Sequence, residues 1–465
     1  MGFQQGLSGL NGASKALEAI GNNISNANTV GFKQATPQFA DVFAASLAGA
    51  GSGNQVGIGT SVKSIAQEFS QGNITATNNP LDIAVNGQGF FRMLDATGSP
   101  SYTREGQFQV NKDGYLVNST GLRLAGTMPA TGSTPVPIFI DTSNMSPRPT
   151  GGATPPLGLV IGLNLDSRET VPVNALDNTQ VPPVAKFIAG DATTYANPSD
   201  PTTYNKSTSA TVYDSLGNAH QLGLFFVKGP SGSVVDANGN NVPTQSWQVY
   251  INVDNGTTNA AAGNPNGIDM MDPFIFTFDS SGKLLSSTDV AGTATTTTGV
   301  IPIALVPGVT TPPVSTANPL SFNLNLTSTT QYGNIFGVNS ITQDGYTSAQ
   351  LSGLNVSADG LVQGRYSNGQ SKDLGQITLT TFKNPNALMS LGGNQWAETA
   401  ASGQPQIGNP GAGSNGILQS SAIEESNVDL TKQLVDMITQ QRTYQANAQT
   451  IKTMDQILQT LVNMR

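Results

Sequence analysis

Residues 426–465 read SNVDLTKQLVDMITQQRTYQANAQTIKTMDQILQTLVNMR, forty residues without Gly or Pro. Alternating steps of four and three from Leu430 pass Leu434, Met437, Gln441, Tyr444, Ala448, Ile451, Asp455, Leu458 and Val462, and eight of these ten positions are apolar. That is the a/d pattern of a coiled-coil seam. Val435, Ile438, Met454, Ile457 and Leu461 widen the stripe on one side, as in a helix covered by more than one neighbour. Ser426 with Asp429 three residues on has the form of a capping box, which places the predicted helix start at 426. A helix of this span is about 58 Å long. One small core cannot cover it, so the seam needs partners.

A first partner lies at the other end of the chain. Phe3, Gly6, Leu10, Ala13, Leu17, Ile20, Ile24 and Ala27 follow the same alternation, with only Gly6 breaking it and Leu7 adding to the stripe. Gly9, Gly12 and Gly21 each cost up to about 1 kcal/mol relative to Ala in a helix interior, so this helix is weak alone. Two terminal amphipathic helices flank a middle without such a pattern. The simplest arrangement pairs the ends and makes the middle an insertion.

The middle has β composition. Charged residues are only 11% of the 465, while Gly (52) and Pro (27) are abundant and Ser, Thr and Asn are frequent. Net charge is −9 and no run of Lys and Arg exists, so a nucleic-acid footprint is missing. No 18-residue apolar run is present, so no membrane insertion is expected. The first residues, MGFQQGLSGLNGASK, lack a basic start followed by an apolar core, and a cleavable secretory signal is not expected. Cysteine is absent, so an exported chain of this kind holds together without disulfides.

Along the chain, NNISNANTVGFKQ (22–34) ends the first helix, and GAGSGNQVGIGTS (49–61) reads as a linker by composition. Leu81, Ile83 and Val85 alternate before GFFRML, and the turn Asn111-Lys-Asp-Gly114 joins short strands into a hairpin. A Pro/Gly/Thr-rich passage at 127–158 marks a domain boundary. ATVYDSLGNAHQLGLFFVK (210–228), SWQVYINVD (246–254) and FIFTFDSSGKLL (274–285) are β runs of an all-β insertion, a barrel or sandwich. The Asn-rich 22–34 segment behind a heptad helix resembles the signature of the axial proteins of the bacterial flagellum. LDIAVNGQGFF…YTREGQFQVNKDGYLVN resembles the inner domain of flagellar hook and distal-rod proteins. YDSLGNAHQL, TTQYG…VNSITQDGY (329–346), and YSNG (366–369) followed by LGQI (374–377) resemble the flagellar hook protein family, as does ESNVDL (425–430) at the start of the last helix. The match is weak over 129–205, 231–245 and 286–318.

The resemblance implies a mainly β chain with long terminal helices. Residues 1–30 and 426–465 would form a helical assembly core, 31–80 with 401–425 an extended connecting region, 81–158 with 336–400 a discontinuous inner β domain, and 159–335 an outer β insertion. It implies a structural subunit of the hook, outside the cell, that polymerises with itself into a bending tube transmitting torque. Implied partners are the distal rod protein, the hook cap protein, the hook–filament junction protein and the flagellar export apparatus. Subunit contacts would run through Phe3, Leu7, Leu10, Leu17, Ile20, Ile24, Leu430, Leu434, Met437, Tyr444, Ile451, Leu458 and Val462. Gln441 and Asp455 either set register or mark where 3.6 residues per turn drifts off a 3.5 repeat.

Chemistry is thinly represented. The one histidine, His220, lies near Asp214 and Ser215, but a nucleophilic triad needs a base on a serine and an orienting carboxylate. Asp236-Ala-Asn-Gly-Asn-Asn241 starts like a calcium loop, yet its sixth and twelfth places hold Asn241 and Trp247 rather than Gly and a carboxylate. No cofactor, metal or enzymatic activity is expected. A distal-rod protein and an extracellular β-rich adhesin are the alternatives; the central insertion disfavours the first, the heptads at both ends the second.

Overall fold

The computed structural model describes residues 2–42, 57, 59–128, 132, 134–153, 157–172, 176–177, 184–185, 201–235, 241–254, 271–289, 297–305 and 320–463. The chain is mainly β with a helix at each end, and it divides into two units, residues 1–143 with 351–465 and residues 144–350.

In the first unit, helix α1 spans Gly2–Ser25 and helix α2 spans Leu430–Asn463, about 51 Å long. The cap of α2 is Asp429, whose Oδ1 accepts from the N–H groups of Thr431 and Lys432. The predicted start at Ser426 is thus too early. Asn427 explains why: its side chain accepts from Gln34 N–H and donates to the Glu68 carbonyl, which holds the chain before the helix against other segments.

The region read as an extended connector contains structure. Ala35–Val42 and Gly59–Gln67 form an antiparallel hairpin. It lies on α1: Gln5 donates to the Gly57 carbonyl, and Phe39 sits over Gly12. Its strands show weak apolar alternation, which is why composition concealed them. Of the linker read at 49–61, residues 49–56 and 58 lie outside the described residues. On the return, Ala422–Glu424 pairs with Ile74–Ala76 and Ile417–Ser420 with Ile83–Asn86, short strands whose partners lie more than 300 residues away.

One sheet dominates this unit. Along its main path the strands run Leu351–Val356, Leu361–Tyr366, Ser371–Ile377, Arg123–Thr127, Phe90–Leu94, Pro100–Thr103, Gln395–Ala397 and Met389–Gly392. Residues from before and after the second unit alternate in it, so the domain is discontinuous. Ile83, Val85, Phe91, Leu124, Val362 and Ile377 fill its core. Phe90, Tyr102, Phe382 and Trp396 form a second cluster joined edge-on by Phe69.

In the second unit two five-stranded sheets share one core, as a sandwich. One is a meander of Lys206–Tyr213, Ala219–Val235, Asn241–Val253, Met271–Phe278 and Leu284–Thr288. In the other, Leu159–Asp166 buries Leu159, Ile161, Leu163 and Leu165 against Leu224, Trp247 and Phe276. The unit's limits lie fifteen residues outside 159 and 335, because Met145 bridges Ala349 and Arg148 bridges Tyr346. The Asp344 carboxylate fastens this neck by accepting from the N–H groups of Gly151, Ala153, Leu157 and Gly158.

Both units reuse one turn. Asp95, Asn111, Asn118, Asp214 and Asp279 each accept, through one side-chain oxygen, the N–H groups two and four residues on. Each has glycine at the fourth place with φ between 80 and 86°, as Gly114 and Gly282 show, a conformation that a side chain would strain.

A buried ion cluster holds the roots of both helices to the first sheet. The Glu424 carboxylate receives Lys33 Nζ at 2.6 Å, Arg104 Nη1 at 3.1 Å and Gly72 N–H at 2.9 Å. The Lys33 and Glu424 side chains are 0% exposed. Lys33 also donates to the Ser70 carbonyl and Arg104 to that of Gly87, so the surplus positive charge is spread over backbone oxygens. Burial pulls the Lys33 pKa down, and Glu424 opposes this.

Two predictions follow from these charges. Glu424→Gln leaves two buried cations without a counterion and costs about 3–5 kcal/mol in denaturant unfolding of the first unit, whereas replacing all three members with Leu and Met recovers most of it. In the second unit, burial lowers the His220 pKa, but hydrogen bonds to Asp254 (2.6 Å) and Asp214 (3.3 Å) outweigh it and hold the imidazole above its ordinary value. A raised folded-state value contributes stability that is full below about pH 6.5 and lost as pH rises through the folded pKa. The melting temperature of this unit therefore falls over that window, and His220→Gln flattens the dependence; an unchanged slope in the variant contradicts the assignment.

Candidate functional site

The two helices pack antiparallel. Asn23 donates to the Gln433 side chain, the Cβ direction of Gly9 meets the Asn447 side chain at 2.8 Å, and that of Gly6 meets Ile451 Cγ1 at 3.0 Å. The face of α1 turned inward is made of small residues. Gly6, Gly12, Ala13, Ala16 and Ala19 are buried with Ile20 and Asn23. Of the glycines read as a weakness in the sequence, Gly9 is a contact point with α2 and Gly12 with the hairpin, while Gly21 is exposed and meets nothing within 4 Å; at Gly6 and Gly9 the missing side chain leaves room for Ile451 and Asn447. Asn23 binds a third element, exchanging hydrogen bonds with the backbone of Ala35 at the start of the hairpin.

This close packing uses little of the apolar stripe read from the sequence. On α2 the half-buried or buried positions are Gln433, Asp436, Met437, Gln440, Asn447, Ala448, Ile451 and Met454, so the inward face is rotated about one residue from the 430/434/437/441 seam. Of the predicted contact residues, Ile20 is buried, and Leu10, Leu17, Ile24, Met437 and Ile451 are half-buried. Phe3, Leu7, Leu430, Leu434, Tyr444, Leu458 and Val462 are exposed, as are Val435, Ile438 and Ile457. Ile451 is covered by Gly6 of its own chain.

Helix length adds a second source of open surface. The register set by Asn23–Gln433 and Gly6–Ile451 brings Gly2 level with roughly Met454 at 1.5 Å per residue on both helices. Asp455–Asn463 therefore has no α1 residue beside it. Leu458 is 55% and Val462 74% exposed there. No helix among the described residues is long and apolar enough to cross a membrane.

The other candidate chemistry resolves differently. Both ring nitrogens of His220 face carboxylates, Asp254 and Asp214. Of the calcium-like stretch 236–241, residues 236–240 lie outside the described residues and Asn241 begins the strand Asn241–Val253.

Four family models match the chain in order. They are the flagella basal body rod protein at residues 3–33, the flagellar hook protein FlgE/F/G D1 domain at 84–151, the flagellar basal body protein FlaE D2 domain at 164–346, and the flagellar basal body rod FlgEFG protein C-terminal at 419–464. The flagellar hook protein FlgE of Salmonella typhimurium is 39% identical over 473 residues, and that of Escherichia coli 37% over 468, each match covering 100% of both chains. The FlgE of Treponema pallidum is 31% identical over 487 residues, covering 99% of this chain and 98% of its own. These similarities span both helices and both units. The chain belongs to the bacterial flagellar hook protein family and is a structural subunit of the hook.

Proposed function

We propose that copies of this chain assemble through the apolar surface that the helix pair leaves open, and that the resulting tube is the hook, joining rod to filament and transmitting torque while it bends. One observation carries the reading: α1 turns small residues toward α2, while Phe3, Leu7, Leu430, Leu434, Tyr444, Leu458 and Val462 stay exposed. Leu10, Leu17, Ile20, Ile24, Met437 and Ile451 then support the same stripe from within each copy. A helix pair already closed on one side presents the other side to neighbours in a fixed direction, as a bundle needs.

In this reading the distal rod protein and the hook–filament junction protein meet the two ends of the tube, the hook cap protein attends its growth, and the flagellar export apparatus delivers the chain to the cell exterior. The role is mechanical and involves no catalysed reaction. Surfaces poor in charge and rich in Ser, Thr and Asn supply wet contacts that slide as the tube bends.

Electron microscopy of the purified chain under polymerising conditions tests the proposal; persistent monomers would overturn it. Two variants refine the test. Leu458→Asp leaves the monomer's melting temperature unchanged, because the side chain is already exposed. Burying a leucine is worth roughly 1.5–3 kcal/mol, and about 1.4 kcal/mol is a factor of ten, so the concentration for polymer onset rises at least about tenfold. Gly9→Leu acts on the other side of the same helices. It forces α1 away from Asn447, lowers the helix pair's own stability, measured by hydrogen exchange of α1 in the monomer, and raises the onset concentration as a consequence. Equal exchange in the variant and the parent would show that close approach is not what holds the pair.

A further inference from the structure

The large sheet of the first unit ends in two edges of different shape. At one end lies Met389–Gly392, paired among the described residues only to Gln395–Ala397. All four of its residues are exposed. Met389 and Leu391 alternate along it, so they share one face, and they are 54% and 53% exposed. At the other end lies Leu351–Val356, paired among the described residues only with Leu361–Tyr366. Across that strand, its neighbour and the turn that follows runs a surface groove of about 320 Å³, lined by Leu354, Tyr366 and glycines together with the polar Ser352, Arg365, Gln370 and Ser371.

Neither edge strand carries charge or proline. Edge strands are normally kept from pairing with other chains by charge, proline or a covering element. The hairpin ALMSLGGNQWA (387–397) has no charged residue and no proline, and neither does Leu351–Val356. An apolar ridge at one end of a sheet and a groove at the other are unlike surfaces of the same molecule. Contact between unlike surfaces repeats head to tail and extends into an open helical array instead of closing on itself.

We propose that the Met389/Leu391 ridge of one copy seats in the groove beside Leu354 and Tyr366 of the next, giving a sheet-to-sheet contact separate from the helical one. The inference rests on the reading that copies polymerise. The occupant is a second copy for two reasons. The ridge is uncharged and the groove holds one charged residue, Arg365, so no charge mismatch opposes their meeting. And ridge and groove lie on opposite edges, as an open polymer of one subunit requires.

The chain has no cysteine, so introduced thiols report on the chosen pair alone. Gly353 takes a side chain freely, since a Cβ there meets nothing within 4 Å, and Met389 is exposed, so neither Gly353→Cys nor Met389→Cys disturbs the fold. The two full-length variants are mixed in equal amounts, polymerised, and treated with a short thiol-reactive cross-linker. Covalent dimers containing one copy of each variant are expected in the polymer, and none below the onset concentration. Dimers from Met389→Cys polymerised alone would show that like edges meet, and tubes without any cross-link would show that these edges lie apart; either overturns this contact while leaving the polymer reading intact. Failure of the parent chain to polymerise would overturn both. A second measurement is independent of cross-linking chemistry. Leu391→Glu raises the onset concentration about tenfold or more with an unchanged monomer melting temperature, and an unchanged onset overturns the contact.

Discussion

Glu424 holds two cations at once in a space closed to water, and the geometry of the helix pair depends on that arrangement. Lys33 lies shortly after the end of α1, Glu424 shortly before the start of α2, and Arg104 in the β domain between them in sequence. Moving either helix root relative to the sheet separates opposite charges in a low-dielectric interior, where their attraction is far stronger than in water. It also strands a buried charge, which is costly however well the rest is packed. Asn427, Gly31 and Gly72 tie further backbone groups to the same place. The apolar stripe of α2 therefore points in a direction set by the β domain.

Small side chains on α1 complete that constraint. Gly and Ala on the inward face bring the backbones close, and the larger apolar residues are left over for other contacts. A helix with leucine at every inward position would be more stable alone and would hold α2 further away. The weakness of α1 as an isolated helix and its fit as a partner thus have one cause.

The terminal helices were legible because their apolar spacing is periodic over many turns, and the turns at Asn111 and Asp279 because Asx-x-x-Gly carries its own geometry. The rest depended on distance along the chain. Lys33 and Glu424 are 391 positions apart, and Arg104 and Glu424 are 320, so nothing local marks three scattered charges as one cluster. The hairpin on α1 was hidden because its residues are small and polar and only one face is covered. The start of α2 was misplaced because Ser426 has the chemistry of a cap, while the tertiary bonds of Asn427 decide where the helix begins. On the seam, spacing identified the apolar stripe but not its division: glycine scores poorly in any apolar count, yet it marks the side that closes within the chain.

The discontinuity of the first unit has a consequence for the order in which the chain can fold. Residues 144–350 contain every strand of their own two sheets, so that unit can close as soon as it is available. Arg123–Thr127 and Phe90–Leu94 must wait for Ser371–Ile377 and Leu379–Thr381, and Lys33 must wait for Glu424. Whichever end emerges first, the first unit pays the entropy of closing a very long loop before its sheet and ion cluster are rewarded. A folded second unit shortens that loop by bringing Met145 and Ala349 together. The inserted unit carries all of its own pairing, whereas the ion cluster at the helix roots needs residues from both ends of the chain.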